Sequence, residues 1–136
     1  MADTAITSRV SRYHEVEEIL RHVSPAATTT GTYKWEWPIL CFARIADVIC
    51  NAETIGVDGT STIIDVNVNG TTIYTTQDNR PTLLLANTGL FAEDGVGPDP
   101  DLLNLVPGDI VSYDIDQITT TTGPARFSIA IILTAR

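Results

Sequence analysis

The stretch Ile63–Thr82, IIDVNVNGTTIYTTQDNRPT, contains a short motif that fits two different structures. Its letters D-x-N-x-N-G, from Asp65 to Gly70, match the opening of a calcium-binding EF-hand loop. The same letters also fit two short β-strands joined by an Asn-Gly turn. The choice between them decides whether the segment is a metal site or part of a sheet.

The EF-hand interpretation fails because the last calcium ligand of the loop is missing. The twelfth position counted from Asp65 must supply a bidentate carboxylate, but it is occupied by Thr76. The flanking residues are largely β-branched, and such residues favour strands over the amphipathic helices that an EF-hand needs. We therefore expect no calcium loop in this segment.

A β-hairpin explains the segment better. A two-residue hairpin turn needs positive φ at both central positions, and Asn69-Gly70 is the strongest local signal for such a turn. Because successive side chains of a strand point to opposite faces, the hairpin has one apolar and one largely polar face. The turn predicts the pairs Val68–Thr71, Val66–Ile73 and Ile64–Thr75, an apolar face of Ile64, Val66, Val68 and Ile73, and an opposite face of Asp65, Asn67, Thr72 and Tyr74.

The pattern of short strands and turns continues through most of the chain. Turn signals occur at Asp58-Gly59, Pro107-Gly108-Asp109 and Gly123-Pro124. Many short strands at regular spacing predict a mainly β fold, an antiparallel β-sandwich or jelly-roll-like domain over residues 32–136. The predicted strands are Thr32–Trp37, Ile39–Ala43, Ala46–Ala52, Ile63–Val68, Thr71–Thr76, Thr82–Leu85, Ile110–Ile118 and Phe127–Thr134.

The N-terminal segment has a different pattern. Residues Ser11–Pro25 place apolar side chains at helical spacing, and Ser24–Thr32 consists of small and polar residues typical of a linker. We therefore predict an N-terminal arm, residues 1–31, with an amphipathic helix that docks either on its own domain or on a neighbouring subunit. The apolar face of this helix would consist of Tyr13, Val16, Ile19, Leu20 and Val23.

Charge and hydropathy exclude several classes of partner. The chain of 136 residues has a formal net charge of −9, and residues 1–34 are neutral, so the remainder carries the whole excess. A negative surface repels phosphates, and we expect no nucleic-acid partner. No signal peptide is visible, and the longest apolar run, Phe127–Leu133, is far shorter than a membrane span, so we expect no membrane partner.

The sequence contains no recognisable catalytic or metal-binding motif, and we predict no enzymatic activity, metal or cofactor. Cys41 and Cys50 are expected to be buried thiols, although a disulfide between them stays open. The segment that begins at His14, HEVEE, has Glu18 where a zinc protease motif needs histidine. Asp114 and Asp116 alternate along one strand and indicate a solvent face, and the acidic stretch Glu93–Asp101 indicates a surface loop.

The aromatic residues of TYKWEWP, residues 32–38, are the most suggestive cluster. In a strand, Tyr33, Trp35 and Trp37 would lie on one face as a ladder. Large rings are mostly buried in a core or in a subunit interface, and an exposed ladder could also stack on sugar rings. Together with the helix face, the ladder forms our predicted partner interface.

Two stretches resemble structural proteins of tailed bacteriophages. IIDVNVNGTTIYTTQDNRPTL, from Ile63, resembles a recurrent element in which an Asn-Gly hairpin precedes Asn-Arg-Pro-Thr. VPGDIVSYDIDQI and GPARFSIAIIL, from Val106 and Gly123, resemble the closing strands of the same domain. The resemblance covers roughly residues 39–134 and implies a β-sandwich virion module without catalytic residues, commonly assembled as a homotrimer.

Such proteins are capsid decoration (cement) proteins or domains of tail and fibre proteins. The short acidic chain lacks the shaft of a fibre protein, which favours a cement protein. We therefore expect a virion protein on the capsid exterior, assembled in the host cytoplasm, that binds the major capsid protein and itself. The alternatives are a tail or fibre module that binds a receptor or glycan, and a cellular carbohydrate-binding domain.

Overall fold

The computed structural model of the chain describes residues 16–24, 29–54, 61–83, 91–93, 97–118 and 123–136. These residues form ten β-strands and two short 3₁₀ helices. Within the same ranges, no helix is long and apolar enough to cross a membrane. The strands are β1 Val16–Ser24, β2 Gly31–Pro38, β3 Ala43–Asn51, β4 Thr62–Val68, β5 Thr71–Thr72, β6 Thr82–Leu83, β7 Phe91–Glu93, β8 Asn104–Leu105, β9 Ile110–Gln117 and β10 Phe127–Ala135, and the 3₁₀ helices are Gln77–Asn79 and Pro100–Leu102.

The strands form two sheets, which we call the first and the second sheet. The first sheet has the order β1-β10-β3-β7, and β8 also pairs with β3. The second has the order β2-β9-β4-β5, and β6 also pairs with β4. Every strand pair is antiparallel. The consecutive strands β1 and β2 are therefore edge strands of different sheets.

Both sheets contribute to one hydrophobic core. Side chains of β10 alternate between buried and partly exposed from Phe127 to Thr134, as expected for a strand with one face on a core. Ile131 of the first sheet and Val66 and Tyr113 of the second are each at most 1% exposed and belong to one continuous cluster. The prediction of a mainly β, antiparallel fold is confirmed.

The predicted Asn-Gly turn is present. Asn69 has φ 51° and Gly70 has φ 82°, the positive values that a two-residue hairpin turn requires. Val68 pairs with Thr71 across this turn, as predicted. Glycine adopts such a φ at no steric cost, and asparagine tolerates it better than most residues, which explains why these two residue types occupy the turn.

The hairpin is shorter than predicted. The N–H of Ile73 donates to the carbonyl of Val66 at 3.0 Å, in agreement with the second predicted pair. The third pair, between Ile64 and Thr75, is wrong, because the N–H of Ile64 donates instead to the carbonyl of Pro81 at 3.0 Å. The chain leaves the ladder after β5, passes through the first 3₁₀ helix and returns as β6 to pair with the beginning of β4.

The predicted N-terminal helix is wrong over its described part. Residues 16–24 form β1, which pairs with β10 along its length, from Val16 opposite Thr134 to Ser24 opposite Phe127. The apolar spacing of this segment fits a helix, but the exposed edge of β10 offers backbone hydrogen bonds and an apolar inner face, and this tertiary pairing overrides the local preference. Residues 11–15, including Tyr13, and residues 25–28 of the predicted linker lie outside the described residues.

Two further differences concern short segments. The predicted strand Ile39–Ala43 is wrong for residues 39–42, which form a loop between β2 and β3. In this loop the N–H of Ile39 donates to the carbonyl of Asp109 at 2.8 Å, outside any ladder. The strands β7 and β8 were not predicted, because segments of three and two residues carry too few side chains for a period to be recognised.

We predict unequal losses of stability for substitutions at two neighbouring positions in β1. Leu20 is 2% exposed and Ile19 is 38% exposed, because they point to opposite faces of the strand. Leu20→Ala should lower the free energy of unfolding by about 2–5 kcal/mol, and Ile19→Ala by less than about 1 kcal/mol. Chemical denaturation of both variants measures the difference, and equal losses would contradict the strand assignment.

Candidate functional site

A cluster of aromatic rings lies between the two edge strands β1 and β2. The imidazole of His22 in β1 stacks on the indole of Trp35 in β2, with ring centroids 4.5 Å apart and an interplanar angle of 12°. Nδ1 of His22 and the hydroxyl of Tyr113 share a hydrogen bond of 2.7 Å. Nε1 of Trp37 donates to the carbonyl of Arg21 at 3.3 Å. These contacts connect the edge strand β1 of the first sheet to β2 and β9 of the second sheet.

The predicted aromatic ladder is divided between core and surface. Trp37 is partly buried against the core, where its ring lies 6.0 Å from that of Tyr113. Trp35 is 49% exposed, although one of its faces is covered by His22. Tyr33 belongs to the same strand, but its side chain lies outside the described part of the structure. Trp35 is therefore the described member of the ladder that a partner can reach.

The pKa values of His22 and Tyr113 in this cluster are shifted in the directions that favour their neutral forms. Burial lowers the pKa of His22, because desolvation disfavours the imidazolium ion. Burial also raises the pKa of Tyr113 to about 12. A neutral imidazole and a neutral phenol suit the hydrogen bond between them. The cluster offers flat apolar rings for stacking and van der Waals contact, rather than an activated nucleophile.

The other predicted interface residues lie on β1, and its strand geometry separates them. Ile19 and Val23 are 38% and 58% exposed and point away from the core. Leu20 is buried and therefore contacts the core rather than a partner. Val16 starts the strand, but its side chain lies outside the described part. Of the predicted apolar face of five residues, the described part of the chain retains Ile19 and Val23, on the face of β1 opposite to Leu20 and His22.

A second apolar surface was missed by the sequence analysis. Leu40 is 81% exposed and Phe42 60% exposed in the loop between β2 and β3. Val106 and Ile110, at 39% and 36% exposed, lie in the adjoining segment between β8 and β9 and at the start of β9. We call these four residues the loop patch. Leu40 and Phe42 fell within the predicted strand Ile39–Ala43, and the signal that could have corrected this is Pro38, which limits continuation of a ladder.

Cys41 lies in the same loop. It is exposed, whereas Cys50 is buried in β3, and the two are not joined by a disulfide. The expectation of a buried thiol is correct for Cys50 and wrong for Cys41.

Three carboxylates meet on the face of the second sheet that points away from the first. Asp65 on β4 lies directly opposite Asp114 on β9, and Asp116 follows two positions later on the same face. One carboxylate oxygen from each of the three lies within 4.8 Å of the others. Asp65 is only 7% exposed, so this side chain is more deeply buried than its polar pattern indicates. Sequence reasoning missed the cluster because it depends on the register between β4 and β9.

Donors of the protein itself surround these carboxylates. Arg80 forms an ion pair of 2.5 Å with Asp116. The hydroxyl of Thr72 donates to Asp65 at 2.5 Å, and Nδ2 of Asn67 donates to Asp114 at 3.0 Å. Three carboxylates could in principle hold a divalent cation. The guanidinium group and the two polar donors already engage them, so each of the three carboxylates has an ionic or hydrogen-bonding partner within the protein.

Comparison with known proteins gives no relative for this chain. No protein-family model matches it, and neither the curated proteins nor the solved structures contain a match.

We predict that Asp65→Asn stabilises the protein at neutral pH. Burial is the main cause that raises the pKa of Asp65, and the carboxylates of Asp116 and Asp114 add to it against the opposing effects of Thr72 and Arg80. An acid whose pKa is raised by folding is destabilising when ionised, and protonation relieves this as the pH falls through its folded-state pKa. Asparagine keeps an acceptor for Thr72 and removes the charge.

Thermal unfolding between neutral and acidic pH measures this effect. The advantage of Asp65→Asn should be largest near neutrality and should shrink on acidification, while Asp78→Asn, at an exposed carboxylate, should change little. A variant less stable than the unmodified protein at neutral pH would contradict the prediction.

Proposed function

We propose that the protein is a capsid decoration (cement) protein of a tailed bacteriophage, which binds the outer surface of the assembled shell. Its partners would be the major capsid protein and further copies of itself, as a homotrimer on the capsid exterior after assembly in the host cytoplasm. The resemblance of residues 39–134 to phage virion proteins supports this role. So does an accessible surface that is apolar and aromatic on an acidic domain.

The strand order adds support at the level of the fold. The chain alternates between the sheets from β1 to β4, and its last two strands insert between earlier ones: β10 lies between β1 and β3, and β9 between β2 and β4. We infer from this order a jelly roll, an architecture found in viral capsid domains and also in lectins and cupins. A fold shared by such different proteins supports a virion role without deciding it.

The observation that carries the proposal is the exposed indole of Trp35. Tryptophan is strongly enriched among the residues that dominate binding energy in protein interfaces. Here it is 49% exposed, but it is held in place by stacking on His22, so little conformational freedom would be lost on binding. A rigid, half-exposed aromatic side chain suits a protein contact.

Decoration would stabilise the shell by mass action. A protein that binds only the assembled shell shifts the equilibrium away from disassembly. Each copy that bridges two capsid subunits adds a modest contact energy, and many identical copies on one shell multiply it. The mechanism needs no catalytic residue, in agreement with the sequence-based expectation of no enzymatic activity.

We predict that Trp35→Ala weakens binding to phage heads by about 30-fold or more, the loss expected when a dominant interface residue is truncated. Purified, expanded, undecorated heads are incubated with the protein, and occupancy is measured by co-sedimentation. Glu36→Ala changes the next, exposed residue of β2 and should leave occupancy unchanged. Failure of the unmodified protein to bind the heads of its own phage would refute the proposal.

A second candidate function is glycan binding by a tail or fibre module. The half-exposed indole of Trp35 favours it, because the free face of such a ring can stack on a sugar. This function predicts saccharide binding on a glycan array that is lost in Trp35→Ala. Saccharide binding without head binding would favour this candidate over decoration, and an inert array would eliminate it.

A further inference from the structure

We infer that copies of this chain meet through the loop patch, with Leu40 and Phe42 of one copy seated in an adjoining cavity of the next. This inference deepens the self-association included in the proposed function, on which it rests, by assigning a surface to it. It follows from three features of one end of the molecule: a rigid apolar projection, a cavity beside it, and complementary charges on the two.

The projecting loop is held by the main chain on both sides. The N–H of Ile39 donates to the carbonyl of Asp109, and the N–H of Gly108 donates to the carbonyl of Ile39, each at 2.8 Å. Ile39 itself is 2% exposed and anchors the loop in the core. Leu40 and Phe42 are therefore presented to solvent by a fixed backbone, which lowers the entropic cost of binding.

A cavity of about 280 Å³ opens next to this loop. It is bounded by the end of β4, the beginning of the segment after the hairpin and the residues from the second 3₁₀ helix to β9. For comparison, an apolar cavity of about 150 Å³ can accommodate a benzene molecule, so this one has room for a phenylalanine ring. Its lining is mixed: Val68, Ile73 and Leu102 are apolar, Asp101 and Asp109 supply carboxylates, and the four remaining lining residues are polar.

The charges of the two surfaces are complementary. The guanidinium of Arg136 lies 5.8 Å from the centre of the Phe42 ring, and its Nη1 donates to the carbonyl of Leu105 at 3.3 Å. Arg136 has no carboxylate partner among the residues that the structure describes. The Asp101 side chain at the cavity is exposed and unpaired within the same described ranges.

A second copy is the occupant that these charges favour. The chain carries a net charge of −9, so two copies repel each other over most of their surface. The loop patch differs from that surface, because its exposed apolar side chains adjoin Arg136, which lacks an acidic partner in the described part of the chain. A neighbouring copy supplies a carboxylate, that of Asp101, at the cavity that would receive Phe42.

The position of the two features allows the assembly to close. The loop contacts the segment around Asp109, and the same segment lines the cavity, so projection and cavity lie side by side. A surface that contains both members of a complementary pair can contact its counterpart reciprocally, which closes a dimer, or successively, which closes a ring when the rotation between copies completes a full turn. Sedimentation distinguishes these assemblies by their size.

Sedimentation velocity of the full chain, at several concentrations and under reducing conditions, tests the inference. Reduction removes any disulfide through the exposed Cys41. The unmodified protein should associate, and Phe42→Ser should weaken the association constant by about 30-fold. Val23→Ser removes an apolar side chain of similar exposure, 58% against 60%, from a different surface and should leave association unchanged.

A charge exchange provides an independent arm of the same experiment. Arg136→Asp and Asp101→Arg should each weaken association, because each places like charges across the contact. The double variant should recover part of the loss, since the charges are again opposite with their positions reversed. Thermal unfolding of each variant confirms that the fold is retained, which is expected because the altered side chains are exposed.

Several results would overturn the inference. One is an unmodified protein that stays monomeric at all concentrations, and another is equal association of Phe42→Ser and Val23→Ser. Loss of head binding in Phe42→Ser without loss of association would assign the loop patch to the capsid instead. Head binding by the unmodified protein is measured separately. Failure of this contact between copies can therefore be distinguished from failure of the proposed decoration function.

Discussion

The pairing of the central strands β9 and β10 is the constraint on which the whole structure depends. β10 is hydrogen-bonded to β1 on one side and to β3 on the other, and β9 lies in the same way between β2 and β4. The inner face of β10 places Phe127, Ile129 and Ile131 in the core. Because the last strands of the chain complete both sheets, the core closes only through pairings between residues distant in sequence.

This arrangement also determines the surfaces available for binding. With β9 and β10 in the centre, β1 and β2 become edge strands of different sheets, and their proximity brings His22 onto Trp35. At β8 and the start of β9, the backbone bonds between Ile39 and Asp109 hold the loop patch beside the cavity. The aromatic cluster and the loop patch are therefore consequences of strand order.

Period-two patterning predicted much of the second sheet, but it could not predict the pairing and register of strands that are distant in sequence. The Asn69-Gly70 turn follows from local chemistry, and β9 and β10 follow from alternation of side chains. β1 was predicted as a helix because its apolar residues recur at helical spacing, and its partner β10 lies more than a hundred positions away. The carboxylate cluster required the register that places Asp65 opposite Asp114, and the exposure of Leu40 depends on the adjoining segment rather than on its own residues.

The most direct test of the account is whether residues 16–24 form the edge strand beside β10. Nuclear magnetic resonance of the isotopically labelled protein measures this through nuclear Overhauser effects between protons of the two segments. The account predicts cross-strand effects between Leu20 and Ile131 and between His22 and Ile129, the residues opposite each other in the sheet. Helical effects between residues three positions apart within 16–24, without any contact to β10, would contradict it.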